Sequence, residues 1–176
     1  RRMSEPLLQV RGLDVRFATP DGPVHAVRSL GFAIDAGETL GIVGESGCGK
    51  TTLGMALLAL QPIAAGAITF EGTRLDGADR TTLRAMRRRM QVVFQDPFAS
   101  LSPRMTIEQI VGEGLETHFS ELTTQERRRR ILDMLAEVGL SEAHGVANLL
   151  TRYPHEFSGG QRQRIAIARA VVLRPE

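Results

Sequence analysis

Cysteine is nearly absent from this chain. Its 176 residues hold one, Cys48, together with one tyrosine and no tryptophan. A single cysteine excludes an internal disulfide and a zinc site built from several cysteines. No apolar run reaches the ~18 residues that a membrane span requires, and no N-terminal signal pattern is visible. These absences favour a cytoplasmic chain whose membrane association, if any, is peripheral.

The chain also lacks a strong charge of either sign. It has 22 basic and 20 acidic residues, so the net charge is +2, which is weak support for a nucleic-acid partner. Hydrophobic residues make up 42% of the chain, enough for a globular core. The length predicts one domain, or a core with a small subdomain.

One glycine-rich segment carries the chemistry. Residues 44–51 read GESGCGKT, which fits the phosphate-binding pattern G-x-x-x-x-G-K-[ST]. Before it, the apolar stretch 39–43 predicts a buried parallel strand; after it, residues 52–60 predict a helix. This context predicts a phosphate site formed by Gly44, Glu45, Ser46, Gly47, Cys48, Gly49, Lys50, Thr51 and Thr52.

The residue types of this loop suit a phosphate. Glycines let successive backbone N–H groups turn inward around an anion, and the helix N-terminus adds free donors and partial positive charge. Lys50 is the only lysine, beside 21 arginines, and its mobile ammonium can reach the β- and γ-phosphates in a way that an arginine fork does not reproduce. The Thr51 hydroxyl can ligate Mg²⁺.

The rest of the chain alternates strand and helix signals. Two strands joined by a tight turn ahead of the loop predict an antiparallel sheet packed on a parallel core. The predicted strands are 7–17, 24–34, 66–72 and 91–94. The predicted helices are 81–89, 106–115, 124–138 and 162–173, and residues 153–157 are predicted to be extended.

The helix at 124–138 has the clearest boundaries. Thr123 and Glu126 form a capping-box pattern, and Gly139 ends the helix. Its apolar residues share one face, which is made by Ile131, Met134, Leu135 and Val138. The arginines at 127–130 predict a solvated face rather than a nucleic-acid patch, as do the arginines at 87–89 at the end of their own helix.

Two features have more than one interpretation from the residues alone. Phe17 is either an ordinary core aromatic or a face on which a base stacks. Ser158, Gly159 and Gly160 open a helix, which is either an ordinary capped start or a second anion site.

Together these residues resemble an ABC-type ATPase. Residues 157–164, FSGGQRQR, match the family's signature motif, with Phe157 in place of the commoner leucine. Gln95 resembles the Q-loop glutamine and Phe17 the adenine-stacking aromatic. Residues 94–106 and 152–157 resemble the ATP-binding subunits of oligopeptide, dipeptide and microcin-C importers.

The resemblance implies an α/β fold. It implies a P-loop NTPase ABC ATPase core, with a RecA-like parallel sheet, an N-terminal antiparallel β subdomain and an α-helical subdomain. The corresponding segments are 1–94 for the core, 95–157 for the Q-loop and helical subdomain, and 158–176 for the signature motif and its helix. After Glu176 the family continues into the Walker B strand with its aspartate and catalytic glutamate, and none of the histidines matches the switch histidine. We therefore expect a fragment with no catalytic residue of its own.

The resemblance also implies ligands and partners. ATP and Mg²⁺ bind, with Thr51 and Gln95 as metal ligands and Phe17 on the adenine. The signature motif consists of Ser158, Gly159, Gly160 and Gln161, and its serine and glycines face the nucleotide of a second ATPase domain, in a head-to-tail homo- or heterodimer. That dimer drives permease subunits at the cytoplasmic face of the bacterial inner membrane. A periplasmic solute-binding protein takes part indirectly, and no nucleic acid is expected.

Two alternatives share these motifs. The first is a soluble ABC ATPase of translation or DNA repair. The 63 positions from Gln95 to Ser158 argue against the long coiled-coil insertion of the repair type, and a permease rather than ribosomes as the co-purifying partner would distinguish an importer from a translation factor. The second alternative is a nucleotide-binding module without catalysis.

Overall fold

The computed structural model describes residues 5–96, 100–141 and 148–175. The chain forms two compact units, Arg1–Ala85 and Met86–Glu176. In chain order the elements are β1 (Leu8–Thr19), β2 (Gly22–Ile34), α1 (Lys50–Leu57), β3 (Ala65–Phe70), β4 (Thr73–Arg74), α2 (Arg80–Arg89), α3 (Ile107–His118), α4 (Thr124–Glu137) and α5 (Gly159–Val171). Residues 97–99 of the importer-like segment 94–106, residues 1–4 and residue 176 lie outside the described part.

The first unit is built on a four-stranded antiparallel sheet. Its strand order is β2-β1-β3-β4, and the tight turn between β1 and β2 pairs Thr19 with Gly22. Leu8, Val10, Leu13 and Val15 of β1 are buried. In a regular strand, side chains two residues apart share a face, but Val10 and Leu13 are three residues apart. The strand pairing is irregular between them, and this irregularity keeps all four side chains on one face. The antiparallel sheet predicted from the sequence is confirmed.

The two strands predicted for a parallel sheet do not form among the described residues. Residues 39–43 and 91–94 have no regular secondary structure. Val43 is 93% exposed, and Leu40, Ile42, Val93 and Phe94 are also exposed. A strand is stabilised by pairing with a neighbour and by burying a face, and within the described sheet neither segment has a paired strand. The prediction of buried strands at these two places was wrong for this reason.

The second unit is a helical bundle. Helices α3, α4 and α5 enclose one apolar core, to which Leu101, Leu140 and Phe157 also contribute. Each helix adds the residues of one face: Ile107, Ile110, Val111 and Leu115 from α3; Ile131, Met134 and Leu135 from α4; and Ile165, Ala166 and Ala168 from α5. The apolar face predicted for α4 is confirmed, with Val138 half-buried against the same core.

The helix boundaries follow local capping chemistry. Thr123 caps α4 through a capping box with Glu126, as predicted. At its other end Gly139 has φ +76°, and the N–H of Leu140 reaches back to the carbonyl of Leu135. Thr106 caps α3 in the same way with Gln109.

Three predictions of secondary structure need correction. Helix α1 ends at Leu57 rather than near residue 60, because Ala59 adopts φ +51° and the N–H of Leu60 bonds to the carbonyl of Met55, which closes the helix. Helix α5 begins at Gly159 rather than Arg162, since Ser158 is its cap. The segment before it, predicted to be extended, contains a 3₁₀ turn at Pro154–Glu156.

Arginines of α2 and α4 make contacts on the surface of the bundle. Arg127 pairs with Glu116 of α3 at 3.1 Å. Arg88 and Arg130 lie over the ring of Phe119, with their guanidinium carbons 4.0 and 5.2 Å from its centroid. Both arginines are exposed, in agreement with the predicted solvated faces, and they also help to hold the end of α3.

Candidate functional site: the phosphate loop and the signature segment

The phosphate loop lies against strand β2 through Gly49. This residue has φ +96° and sits directly before α1. A Cβ added to it would come within 2.3 Å of the carbonyl oxygen of Ala26, and one added to Gly44 would come within 2.6 Å of the sulfur of Cys48. The close approach to the backbone of the sheet therefore requires glycine at 49. At position 44 the Cys48 side chain can move aside, and the backbone conformation, with φ +158°, favours glycine.

The side chain of Lys50 forms hydrogen bonds with the start of the loop. Its Nζ donates to the carbonyl oxygens of Gly44 at 2.8 Å and Glu45 at 2.6 Å. A longer contact of 3.4 Å runs to the sulfur of Cys48. The ammonium group thus spans the two ends of the loop, and the only lysine of the chain lies where the sequence predicts a phosphate ligand.

The first turn of α1 offers unpaired donors. Gly49 caps it with no side-chain hydrogen bond, and its carbonyl accepts the first helical bond, from Leu53. Among the described residues, the N–H groups of Lys50, Thr51 and Thr52 have no backbone acceptor. Free N–H groups at a helix start can bind an anion, so these donors support the predicted phosphate site, which stays a prediction.

The other side chains that are predicted to contact the nucleotide or its metal ion are exposed to solvent. Phe17 is 38% exposed on β1, so its ring lies outside the buried core, and its stacking on a base stays a prediction. The Thr51 side chain is exposed at the start of α1. Gln95 is exposed in a bend of the second unit.

The signature segment begins with a capping box. The backbone N–H of Ser158 donates to Oε1 of Gln161 at 2.9 Å, and the N–H of Gln161 donates to Oγ of Ser158 at 3.3 Å. Ser158, Gly159 and Gly160 are exposed, and a Cβ added to Gly160 would meet nothing within 4 Å. The S-x-x-Q pattern was visible in the sequence, but the role of Gln161 in the box was not recognised there.

Two arginines fix the approach to this segment. Nε of Arg162 donates to the carbonyl of Phe157 at 2.9 Å, and Nη2 of Arg152 donates to the carbonyl of Glu156 at 2.7 Å. The hydrogen bond from the N–H of Tyr153, together with the charge of Arg152, outweighs burial and holds the pKa of Glu156 below its usual value. Phe157 is 3% exposed and anchors the segment in the apolar core. None of these contacts was predicted.

A comparison with protein families identifies the chain. Residues 27–176 match the profile of the ABC transporter family, so the chain belongs to that family. It is 49% identical over 175 residues to the oligopeptide transport ATP-binding protein OppF of Bacillus subtilis (strain 168), covering 99% of this chain and 56% of that protein. It is 46% identical over 180 residues to the glutathione import ATP-binding protein GsiA of Pectobacterium atrosepticum, covering 98% and 28%.

Solved cassettes share the fold. The dimeric structure of MJ0796, described as a bacterial ABC transporter cassette, aligns with a TM-score of 0.82 and 27% identity, covering 96% of this chain and 70% of that one. A second MJ0796 structure, in a post-hydrolysis state bound to ADP and Pi, aligns with a TM-score of 0.83, with the same identity and coverage. The predicted ABC ATPase fold class is thereby confirmed.

Two further facts concern the extent of the chain and its helices. The chain spans little more than half the length of the oligopeptide transport relatives that it matches. Within the described residues, no helix has both the length and the apolar character that crossing a bilayer demands.

Proposed function

We propose that the full-length protein is the ATP-binding subunit of a bacterial importer for peptides or related solutes. The observation that carries the proposal is the uncapped start of α1. There the N–H groups of Lys50, Thr51 and Thr52 have no backbone acceptor among the described residues, and the Lys50 ammonium bonds to the loop carbonyls. The names of the relatives, which include oligopeptide and glutathione transport proteins, support the importer class over translation or DNA repair.

Each residue of the loop has a specific task in this proposal. The N–H groups of Lys50, Thr51 and Thr52 bind phosphate oxygens. Lys50 keeps its bonds to the loop carbonyls and exchanges its long contact to Cys48 for a phosphate oxygen. The resemblance assigns Thr51 and Gln95 as ligands of Mg²⁺, which would neutralise phosphate charge when bound. Phe17 stacks on the adenine.

The signature segment serves a second nucleotide in this proposal. Its exposed Ser158, Gly159 and Gly160 face the ATP bound by a second cassette, in a head-to-tail dimer that couples to membrane permease subunits at the cytoplasmic face of the inner membrane. A periplasmic solute-binding protein delivers the solute, and nucleic acid takes no part. None of the 176 residues matches the family's catalytic glutamate, so we propose that the group that activates water lies outside this sequence.

The test uses the full-length protein with its co-purifying cassette and membrane subunits. Ser158→Arg places a bulky cation in the signature segment, so it should stop ATP hydrolysis while leaving the affinity of the separate cassette for ATP unchanged. Ser102→Arg, which changes a half-buried loop position of the same unit, is the control and should keep hydrolysis. Full hydrolysis by Ser158→Arg, or co-purification with ribosomes instead of a permease, would overturn the proposal.

A further inference from the structure

The pairing of β1 with β2 is irregular where the phosphate loop lies against the sheet. Val15 pairs with Val27. The next pair along the strands joins Arg16 to His25, so the register skips Ala26 of β2. A β-bulge of this kind bends its strand and changes the direction of the backbone groups of the extra residue. The carbonyl oxygen of Ala26 is the atom against which the phosphate loop lies.

A second irregularity lies at Ser29, three residues further along β2. Ser29 has φ +44°, in the left-handed region that residues other than glycine rarely adopt. Its backbone N–H donates to Oδ2 of Asp14 at 3.3 Å. Asp14 itself has no partner on β2 in the strand register. The carboxylate of Asp14 therefore holds the backbone of β2 on one side of Ala26.

The other oxygen of the same carboxylate faces His25, on the other side of Ala26. Nδ1 of His25 lies 3.9 Å from Oδ1 of Asp14, which is within reach of an ion pair but too far for a hydrogen bond. This nitrogen is buried, and no hydrogen-bond partner reaches it among the described residues. A buried polar atom without a partner is uncommon in native proteins and requires an explanation. Asp14 offers one, because a shift of about 1 Å would bring the two atoms within hydrogen-bond distance.

The charged groups of the neighbouring elements do not replace this pair. Nη2 of Arg16 lies 3.6 Å from Oδ1 of Asp14, but the arginine side chain is 48% exposed, so water screens this contact. The side chains of His25 and Asp14 are only 28% and 18% exposed. Helix α1 packs against both strands, and its single charged residue, Lys50, is bonded to the carbonyls of the phosphate loop.

We propose that Asp14 and His25 are positioning residues for the phosphate loop. Together they hold β2 on both sides of Ala26, and so they fix the carbonyl oxygen against which Gly49 lies. The pair thereby sets the affinity for ATP through the loop, without touching the nucleotide. The inference rests on the function proposed above, and it adds two residues that lie outside the loop motif.

A second carboxylate in the same sheet provides a matched control. Asp76 accepts a hydrogen bond from the N–H of Ile68 at 2.8 Å and pairs with Arg74 at 2.6 Å. Like Asp14, it holds the backbone of a strand and contacts an exposed arginine. Ile68 lies on β3, however, which β1 separates from β2. Changes at Asp76 should therefore affect the stability of the sheet and leave the affinity for ATP unaltered.

The experiment measures ATP affinity by calorimetry, kcat for ATP hydrolysis and the thermal midpoint of the full-length, assembled protein. Asp14→Ala and His25→Gln should weaken ATP affinity about 3- to 10-fold, the range expected for one lost hydrogen bond, and keep kcat within about twofold of the parent. His25→Asn should keep the parent affinity, because its amide nitrogen can take the place of Nδ1, whereas the longer glutamine places its amide near the position of Nε2. Asp76→Ala should lower the thermal midpoint and keep the parent affinity.

Each outcome has a distinct meaning. If His25→Gln keeps the parent affinity, or if His25→Asn loses as much affinity as His25→Gln, His25 does not act through Asp14 and the inference is wrong. An equal loss of affinity in Asp14→Ala and Asp76→Ala would show a general effect of sheet stability, which would also overturn it. Lys50→Ala, measured in parallel, tests the proposed function itself. If it keeps the parent affinity, the proposed function and the inference fail together; if it abolishes binding while the Asp14 and His25 variants are normal, the inference alone fails.

Discussion

Replacing Gly49 by alanine tests how the phosphate loop is held against the sheet. The backbone at Gly49 has φ +96°, and a left-handed conformation costs an alanine about 1–2 kcal/mol. The new Cβ would also lie 2.3 Å from the carbonyl oxygen of Ala26, so strand or loop must shift, and overpacking of this kind costs about 1–3 kcal/mol. Gly49→Ala should therefore lower the free energy of unfolding by about 2–5 kcal/mol.

Two neighbouring glycines separate these contributions. Gly47 has φ +80°, but a Cβ there would meet nothing within 4 Å, so Gly47→Ala should lose only about 1–2 kcal/mol. Gly54 lies inside α1 with open space around it, so Gly54→Ala should gain about 0.5–1 kcal/mol.

The assay is urea unfolding of the nucleotide-free, full-length protein, followed by circular dichroism, with ATP affinity measured on the same samples by calorimetry. Gly49→Ala should be the least stable of the three variants and should bind ATP most weakly. If Gly49→Ala is as stable as Gly47→Ala, the loop does not lie against Ala26 and the geometry described for the site is incorrect.

Three further predictions concern other parts of the chain. Burial raises the pKa of Asp76, but hydrogen bonds from Arg74 and from the N–H of Ile68 outweigh it, so the pKa of Asp76 in the folded chain lies below its ordinary value. The ionised Asp76 should therefore stabilise the folded chain above pH ~4, and this contribution should be lost as the pH falls through the folded pKa. Urea midpoints between pH 2 and 7 measure this effect, and Asp76→Asn should flatten that part of the profile; an unchanged profile would contradict the assignment. Cys48 is exposed inside the loop, so saturating MgATP should slow its labelling by a maleimide, and equal rates with and without MgATP would place the thiol elsewhere. If the water-activating group lies outside this sequence, as proposed, the 176-residue chain by itself should bind ATP without turnover, since losing a general base lowers rates about 10²–10⁴-fold. Phosphate release near the full-length rate would show that this group lies within the sequence.

The features predicted correctly are those that depend on neighbours in sequence. The capping box of Thr123 and Glu126, and the helix end at Gly139, each require residues only a few positions apart. The helix that follows the glycine-rich segment is predictable for the same reason, because the residues that indicate it are contiguous.

The features that sequence reasoning missed depend on distant partners. An apolar stretch such as 39–43 becomes a strand only when another strand pairs with it, and the sequence does not say whether one does. Likewise the contact of Arg88 with Phe119 joins residues 31 positions apart. The box at Ser158 and Gln161 is the exception, since its pattern is local and could have been found.

The affinity of the full-length protein for ATP, measured by calorimetry for the parent and for Lys50→Ala, tests the central claim most directly. The Lys50 ammonium both spans the loop carbonyls of Gly44 and Glu45 and supplies the loop's mobile cation. Lys50→Ala should therefore abolish measurable binding, and Lys50→Arg should not restore it, because a planar guanidinium fork does not replace a compact ammonium group. Affinity equal to that of the parent in Lys50→Ala would show that residues 44–52 do not form the ATP site.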